Sequence, residues 1–332
     1  MDENPFLAHF EPPQGPRIEM TQCHYHEAIL EHKGQKLLHG YMVQQDFTDA
    51  PVKEMASFSG YSLPGFLGDC QIPVDLYPLQ YDGLTLKQIA TKLIKPFSLK
   101  MVIDPLVEER MNMVYDKTTA EPTQTIADYL TELAAQRNII LSHDTQGRLL
   151  FTQLQTKGVP ILSVTEGLIG THMTMSFKGQ DIHSHITVIK QADSDGGNAG
   201  QYTIRNPFVP VARTYRPKTI IQTSGDNTST KLAAQNALAA ELRNIVLTVS
   251  IDRWELNGKL ITPNALISVK NKNLYLYDKT NFFIESVAYE GDSEKQIAVM
   301  TCVLPACYDL STPYNVFVDP HENSASGFTS PV

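Results

Sequence analysis

A helical run that passes directly into alternating strands constrains this chain more than any other feature. Thr230–Asn244 repeats apolar residues at helical spacing, through Leu232, Leu238, Leu242 and several alanines, and Thr228 or Ser229 stands where an N-cap belongs. Leu247–Trp254 then alternates as a strand does, and Asn257-Gly258-Lys259-Leu260 follows. Asn-Gly between alternating apolar residues signals a tight hairpin, because both residues tolerate the positive φ of a type I′ turn. Thr262-Pro263-Asn264 comes next, and Leu266–Lys270, Phe282–Val287 and Gln296–Val303 read as further strands. The segment predicts a helix leading into antiparallel strands that complete a barrel.

The N-terminal part also reads as β. Glu27–Lys33 and Gln35–Val43 flank Gly34 as a hairpin, with Gly40-Tyr41 closing it, and Val52–Ser59 alternates loosely. Gly60–Cys70 is rich in turn residues and reads as irregular. The period then changes. Leu86, Ile89, Ala90, Leu93 and Ile94 form one helical stripe, which Thr85 caps and Pro96 stops. Ile126, Ala127, Leu130, Leu133 and Ala134 form a second stripe. Aligning Ile89-Ala90 with Ile126-Ala127 makes a helix–strand unit used twice, with strands at Leu99–Ile103, Ile139–Leu141 and Arg148–Phe151 and a turn at Asp144–Gly147. Beyond it, His172–Phe177, His183–Gln191 and Thr214–Gln222 read as strands, and Ala192–Gly200 as a loop tip.

The expected fold is therefore mainly β with an α+β insert: two barrel-like β domains plus a small duplicated helix–strand domain. The expected bounds are residues 1–82 for the first barrel-like domain, 83–156 for the insert, 157–308 for the second barrel-like domain with helix 230–244, and 309–332 for a C-terminal arm.

A net charge of -9 argues against a nucleic-acid-binding face, which needs clustered Lys and Arg. No apolar run approaches the roughly 20 residues that span a bilayer, and the start of the chain lacks the pattern of a signal peptide. The four cysteines, Cys23, Cys70, Cys302 and Cys307, have no CxxC spacing and read as reduced thiols acting as small hydrophobes.

Chemistry has few footholds. His24 and His26 share a strand face and are the best metal candidates, with Cys23, His32 and His39 nearby, but zinc needs three or four convergent ligands. Polar strand residues at a subunit contact are the simpler reading. His172, His183 and His185 meet the same objection. Asp193-Ser-Asp195 opens like a calcium loop, but Ile204 stands where the bidentate Glu belongs. Glu108-Glu109 and the pair Asp252 and Glu255 read as solvated strand-end charges. Trp254, the sole tryptophan, reads as core or interface before a carbohydrate platform. No nucleophile elbow, phosphate loop or HExxH stretch is present, so no catalytic residue and no cofactor is expected.

Seven stretches in order carry a family resemblance: Gly40-Tyr41; Gly60-Tyr-Ser with Leu67-Gly-Asp-Cys70; Leu84–Ala90 with Pro96-Phe97; Gln124–Arg137; Asp144–Phe151; Tyr215-Arg216-Pro217; and Trp254 with Gly258-Lys-Leu and Pro263-Asn264. Together they resemble the Mu-like phage tail baseplate hub proteins, related to the T4 baseplate hub and the hub part of VgrG. Tyr61 stands where that family has Arg, Arg253 stands where it has Gly, and the family's opening strands are expected to be missing or shortened, since Phe10-Glu11-Pro12 lies close to the first residue. An open first barrel would leave a sheet edge for another chain to fill.

The resemblance implies a structural protein of the virion tail, assembled in the host cytoplasm. A homotrimeric ring would join the tail tube or distal tail proteins to a central spike, contact other baseplate proteins and form part of the DNA channel, with no sequence-specific nucleic-acid binding. A negative charge suits a lumen through which DNA slides. The resemblance makes Trp254, Gly258, Pro263, Asn264, Tyr215, Arg216 and Pro217 architectural. The alternatives are a tail-associated cell-wall hydrolase or glycan-binding module, or the hub of a type VI or pyocin-like injector.

Overall fold

The computed structural model describes residues 25–48, 55–154, 156–191, 198–210, 214–222, 229–291 and 295–318. The chain divides into two compact units, Met1–Gln153 and Leu154–Val332. Each holds its own apolar core. Strands predominate, and helices are few.

In the first unit, β1 (Glu27–His32), β2 (Gln35–Thr48) and β3 (Met55–Ser62) pair antiparallel in that order. Lys33 and Gly34 take φ of 49° and 78°, the left-handed pair that a two-residue hairpin needs. Gly40-Tyr41 does not close this hairpin. Both residues lie inside β2, where Gly40 faces Ala28 on one side and Ser62 on the other. The reason for glycine here is close approach. A Cβ on Gly40 would stand 2.0 Å from the Tyr61 carbonyl oxygen, and one on Gly60 would stand 2.1 Å from that of Tyr41. The two glycines let β2 and β3 close together beside a register shift between Met42 and Gln44. The stretch from Gly60, expected to be irregular, finishes β3 and continues as a 3-10 turn over Leu63–Gly68. Residues 52–54 of the expected Val52–Ser59 strand lie outside the described residues.

The rest of this unit is α1 (Leu86–Ile94), β4 (Met101–Ile103), α2 (Glu108–Met111), α3 (Ile126–Gln136), β5 (Ile140–His143) and β6 (Leu149–Thr152). The sheet order is β4-β6-β5, with β4 parallel and β5 antiparallel to β6. Thr85 caps α1 in a full capping box with Gln88. All five residues of the first stripe are buried. In α3, Ile126, Leu130, Leu133 and Ala134 are buried with Tyr129, while Ala127 is half-buried.

The repeat holds, but its register differs from the expected one. Thr85 and Thr125 are both N-caps, and Ser98 and Asn138 are both left-handed with φ 53°. Leu86 therefore matches Ile126, and Ile89 matches Tyr129, three residues from the alignment drawn by apolar spacing. A shift of three or four residues leaves a helical stripe on nearly the same face, so periodicity alone cannot set the register. The caps set it.

At the expected Asp144–Gly147 turn, the Asp144 carboxylate accepts from the backbone N–H groups of Gln146 and Arg148 and from the Arg148 guanidinium. Burial works against this carboxylate, yet the Arg148 and Gln146 contacts outweigh it and hold its pKa below the usual value.

The second unit opens with β7 (Leu162–Thr165), β8 (Thr171–Phe177), β9 (His185–Gln191), β10 (Asn198–Arg205) and β11 (Pro217–Gln222). Helix α4 (Thr230–Leu242), capped by Ser229, leads into β12 (Ile245–Ile251). There follow β13 (Glu255–Leu256), β14 (Lys259–Leu260), β15 (Leu266–Asn271), β16 (Leu276–Gly291), β17 (Gln296–Val303) and α5 (Ala306–Asp309). Six strands in the order β7-β15-β16-β17-β12-β8 form one sheet, curled as a half-barrel. β12 shows the alternation best: Ile245, Leu247, Val249 and Ile251 are buried and the residues between them are half-buried. A separate sheet, β10-β9-β11, lies against α4. Its strand β10 begins inside the stretch that reads as a loop tip in sequence.

Asn257 and Gly258 take φ of 52° and 75° between β13 and β14, as the Asn-Gly pair predicts. After α5 the chain stays on this unit. Val316 is buried, and the Phe317 ring stands edge-on to Phe177 and Phe208 at 6.1 and 5.8 Å.

Candidate assembly surfaces

Trp254 follows the end of β12. Its indole N–H is shared between the Glu290 and Ile297 carbonyls, at 3.0 and 3.1 Å, and its ring meets Tyr289 edge-on at 5.8 Å. A Cβ on Gly291 would come within 2.7 Å of the indole. The side chain thus braces the far ends of β16 and β17, and its face is taken by protein. Asn264 adopts a left-handed φ of 64°, and its backbone N–H donates to the Ile284 carbonyl, which fixes the entry into β15. Pro263, Asn264 and Gly258 are exposed.

Arg216 spans to the turn before β9. Its guanidinium donates to the Gly179 and Gln180 carbonyls at 2.6 and 2.7 Å, and its backbone N–H donates to Ser184 Oγ. Pro217 starts β11 at an outer position of its sheet, where a missing N–H is tolerated. Tyr215 is 73% exposed with its ring 5.7 Å from His185. The structure therefore brings Arg216 and Pro217 together at one strand entry and keeps Trp254 and Gly258 at another.

The histidines are dispersed. His24, with Cys23, lies outside the described residues, as do Asp193 and Asp195, and His26 is exposed. His39 engages Glu27 and the Gln146 carbonyl. His172 meets Thr174, His185 meets Ser184, and His183 meets Glu241, so the second trio does not converge. Among the described residues no three His, Cys, Asp or Glu side chains stand close enough to hold a metal ion. Glu108 and Glu109 lie in the first turn of α2, on a helix where strand ends were expected, and both are exposed. Asp252 is exposed just past β12.

Two features escape sequence reading. Glu241, only 4% exposed, accepts from the His183 backbone N–H and ring at 2.8 Å each and from Lys218 Nζ at 3.2 Å. It ties α4 to the entry of β9 and to β11. Its place in the helical period, beside Leu242, is the only hint in the chain. The other is a cavity of about 480 Å³ whose aromatic wall is Phe177, Phe208 and Phe317, with Met175, Leu274 and Tyr275 beside them. Its walls come from segments far apart in sequence.

The two buried thiols of this unit are held neutral. Burial, with the Glu285 charge added, pushes the Cys302 thiol up to about 12. Burial does the same at Cys307 against the pull of Arg243. Neither is poised as a nucleophile.

The family description "Baseplate hub protein gp44-like, second domain" matches residues 65–153. Those residues are the duplicated helix–strand unit and the 3-10 turn before it.

This part of the chain resembles the gp44-like baseplate hub family.

The gp44-like match extends further in one relative. Baseplate hub protein gp44 of Escherichia phage Mu is 23% identical over 225 residues, which are 63% of this chain and 56% of that protein. The matched stretch thus spans little more than half of the phage Mu protein. The fold recurs in solved structures. A tail protein from Neisseria meningitidis MC58 superposes with a TM-score of 0.72 at 19% identity, covering 86% of both chains. The 43 kDa tail protein of prophage MuSo2 from Shewanella oneidensis gives 0.70 at 21% identity, covering 86% of this chain and 83% of that one. Prophage tail protein gp18 from Listeria monocytogenes gives 0.53 at 14% identity, over 83% and 78%. The gp44-like domain is therefore set within a fold shared by phage tail proteins along most of its length.

Proposed function

We propose that this chain is a structural hub of a phage tail baseplate. Three copies form a ring in the virion that joins the tail tube or distal tail proteins to a central spike, contacts other baseplate proteins and lines part of the DNA channel. The gp44-like domain at residues 65–153 carries the reading. The likeness of fold to two solved tail proteins, over 86% of the chain, supports it. So does the open half-barrel, whose outer strands β7 and β8 offer edges to neighbours. The net charge of -9 suits passage of DNA without adhesion.

The proposal assigns no catalytic step and no cofactor. The groups with chemical potential are engaged in structure: Glu241 in a helix tie, and Cys302 and Cys307 as buried thiols. Trp254, Arg216, Pro217, Asn264, Pro263, Gly258 and Tyr215 act in this reading as architecture that shapes the strand entries. Among the described residues no helix is long and apolar enough to cross a membrane.

Light scattering of the purified chain, with negative-stain images of the peak, tests the proposal. A mass near three times 37.0 kDa and annular particles are expected. A chain that stays monomeric, alone and with its cognate spike protein, overturns it.

A further inference from the structure

The curled sheet of the second unit is open along β8. This strand pairs with β12 on one side, and among the described residues no strand lines its other side. Two hydrogen bonds at its ends decide which backbone groups are left over. Asp252 N–H donates to the Gly170 carbonyl, and Lys178 N–H donates to the Asn244 carbonyl. Bonded pairs recur at every second residue of an antiparallel ladder. His172, Thr174 and Ser176 therefore turn their N–H and C=O groups to β12, while Met173, Met175 and Phe177 turn theirs to the open edge.

The side chains of the same three residues are short of cover. They stand opposite Val249, Leu247 and Ile245 of β12 and share their face of the sheet. Those β12 residues are fully buried, whereas Met173 and Met175 are half-buried and Phe177 is 45% exposed. At the other end of the sheet, β7 is only four residues long and pairs with Ile267–Lys270 of β15. β15 runs past it into the Lys272–Leu274 turn. Leu274 and Tyr275 line one cavity with Met175 and Phe177, so the seam lies where β7 stops. Phe208 and Phe317 complete its aromatic wall, and its volume of about 480 Å³ suits an apolar side chain.

An open backbone edge beside an apolar cavity fits an extended segment that pairs with the edge and drops one apolar side chain into the cavity. The chain itself delivers such a segment to the place. After α5 it runs along the cavity, where Asn315 and Phe317 are part of the wall and the Phe317 ring meets Phe177 at 6.1 Å. The described residues end at Val318, which is 44% exposed. Phe328 is the one aromatic residue in 319–332, and the nine residues between it and Val318 are polar or small apart from Pro320. A coil of about ten residues has a root-mean-square span of about 17 Å, so Phe328 is within reach of a cavity that Phe317 helps to wall. Such a tether gives an effective concentration of about millimolar, which a separate chain has to match. Pro331 has no N–H to pair and would end a strand there.

We infer that Phe328 occupies the cavity beside Phe177, Phe208 and Phe317 of its own chain, with residues 327–329 paired as a short strand to the outer backbone groups of Met175 and Phe177. The segment guards the β8 edge in the free chain, and a neighbour gains that edge only by displacing it. The β7 edge stays open.

Amide hydrogen exchange on the full chain, resolved by residue, compares the wild type with F328S and F328L. The Thr174 and Ser176 amides, bonded to β12, report that the sheet is folded and should match in all three. The Met175 and Phe177 amides are expected to exchange at least ~10-fold slower in the wild type and F328L than in F328S, and to keep that protection on dilution. Equal exchange of these two amides in the wild type and F328S overturns the inference. Protection that fades on dilution overturns it too, and gives the cavity to the same segment of a second copy. Either result leaves the hub proposal standing, since that is read from mass and particle shape.

Discussion

Cys302 and Cys307 show how burial decides the chemistry of a residue. Both lie in the core of the second unit, where a thiolate would lose its hydration, and at Cys307 the Arg243 charge offsets that loss only in part, so burial lifts both thiols to about 12. Cys70 is half-buried on the other unit. Maleimide labelling at pH 8 with mass-spectrometric mapping should modify Cys70 in the folded protein. Cys302 and Cys307 should react more than ~100-fold slower than in urea, because access waits on opening of the core. A folded-state pKa raised above the ordinary 9.0 means that the neutral thiols contribute stability fully below pH 9, and that this is lost as pH rises toward 12. The melting temperature should therefore fall over that window, and less in a variant with both replaced by alanine. Glu241 is buried too, and three donors meet its carboxylate.

At the scale of elements, the helices and the first sheet follow different rules. In α1 and α3, stripe, cap and left-handed exit all lie within one stretch of chain, so local sequence specifies them. The β2–β3 pair depends on two glycines twenty residues apart in sequence that each admit the other strand's carbonyl. Gly60→Ala should therefore destabilise the protein by about 2–3 kcal/mol, the cost of forcing a methyl against fixed backbone. Gly68→Ala, where a Cβ meets nothing within 4 Å, should lie within about 1 kcal/mol of the wild type or slightly above it. Urea unfolding of both variants checks the contrast. The Trp254 brace belongs here too, since one indole N–H serves carbonyls of both β16 and β17.

At the scale of the whole molecule, two cores of comparable extent belong to two stretches of chain, Met1–Gln153 and Leu154–Val332. A unit with its own buried core can fold by itself. Residues Leu154–Val332 expressed alone should melt in one cooperative transition, read by near-ultraviolet circular dichroism through Trp254. A fragment without such a transition would show that the core needs the other unit.

The chain by itself determined whatever is decided within a few residues. Asn257-Gly258 made its turn, Lys33-Gly34 made another, Thr85 and Ser229 made caps, and each apolar stripe faced a core, because φ preference, capping and helical spacing act locally. Alternation likewise announced β8, β12 and β17. The tertiary structure decided everything that joins distant segments. It set the register of the repeat, since a shift of three residues leaves an apolar stripe almost unmoved. It put Gly40 inside a strand, since the carbonyl it admits belongs to Tyr61. It paired His183 with Glu241 and Lys218 where spacing had grouped it with other histidines. It assembled the aromatic cavity from Phe177, Phe208 and Phe317, residues that nothing in one dimension connects. Local rules act through bonds and neighbours along the chain, while packing and charge pairing act through space, and only the folded chain brings those partners within reach.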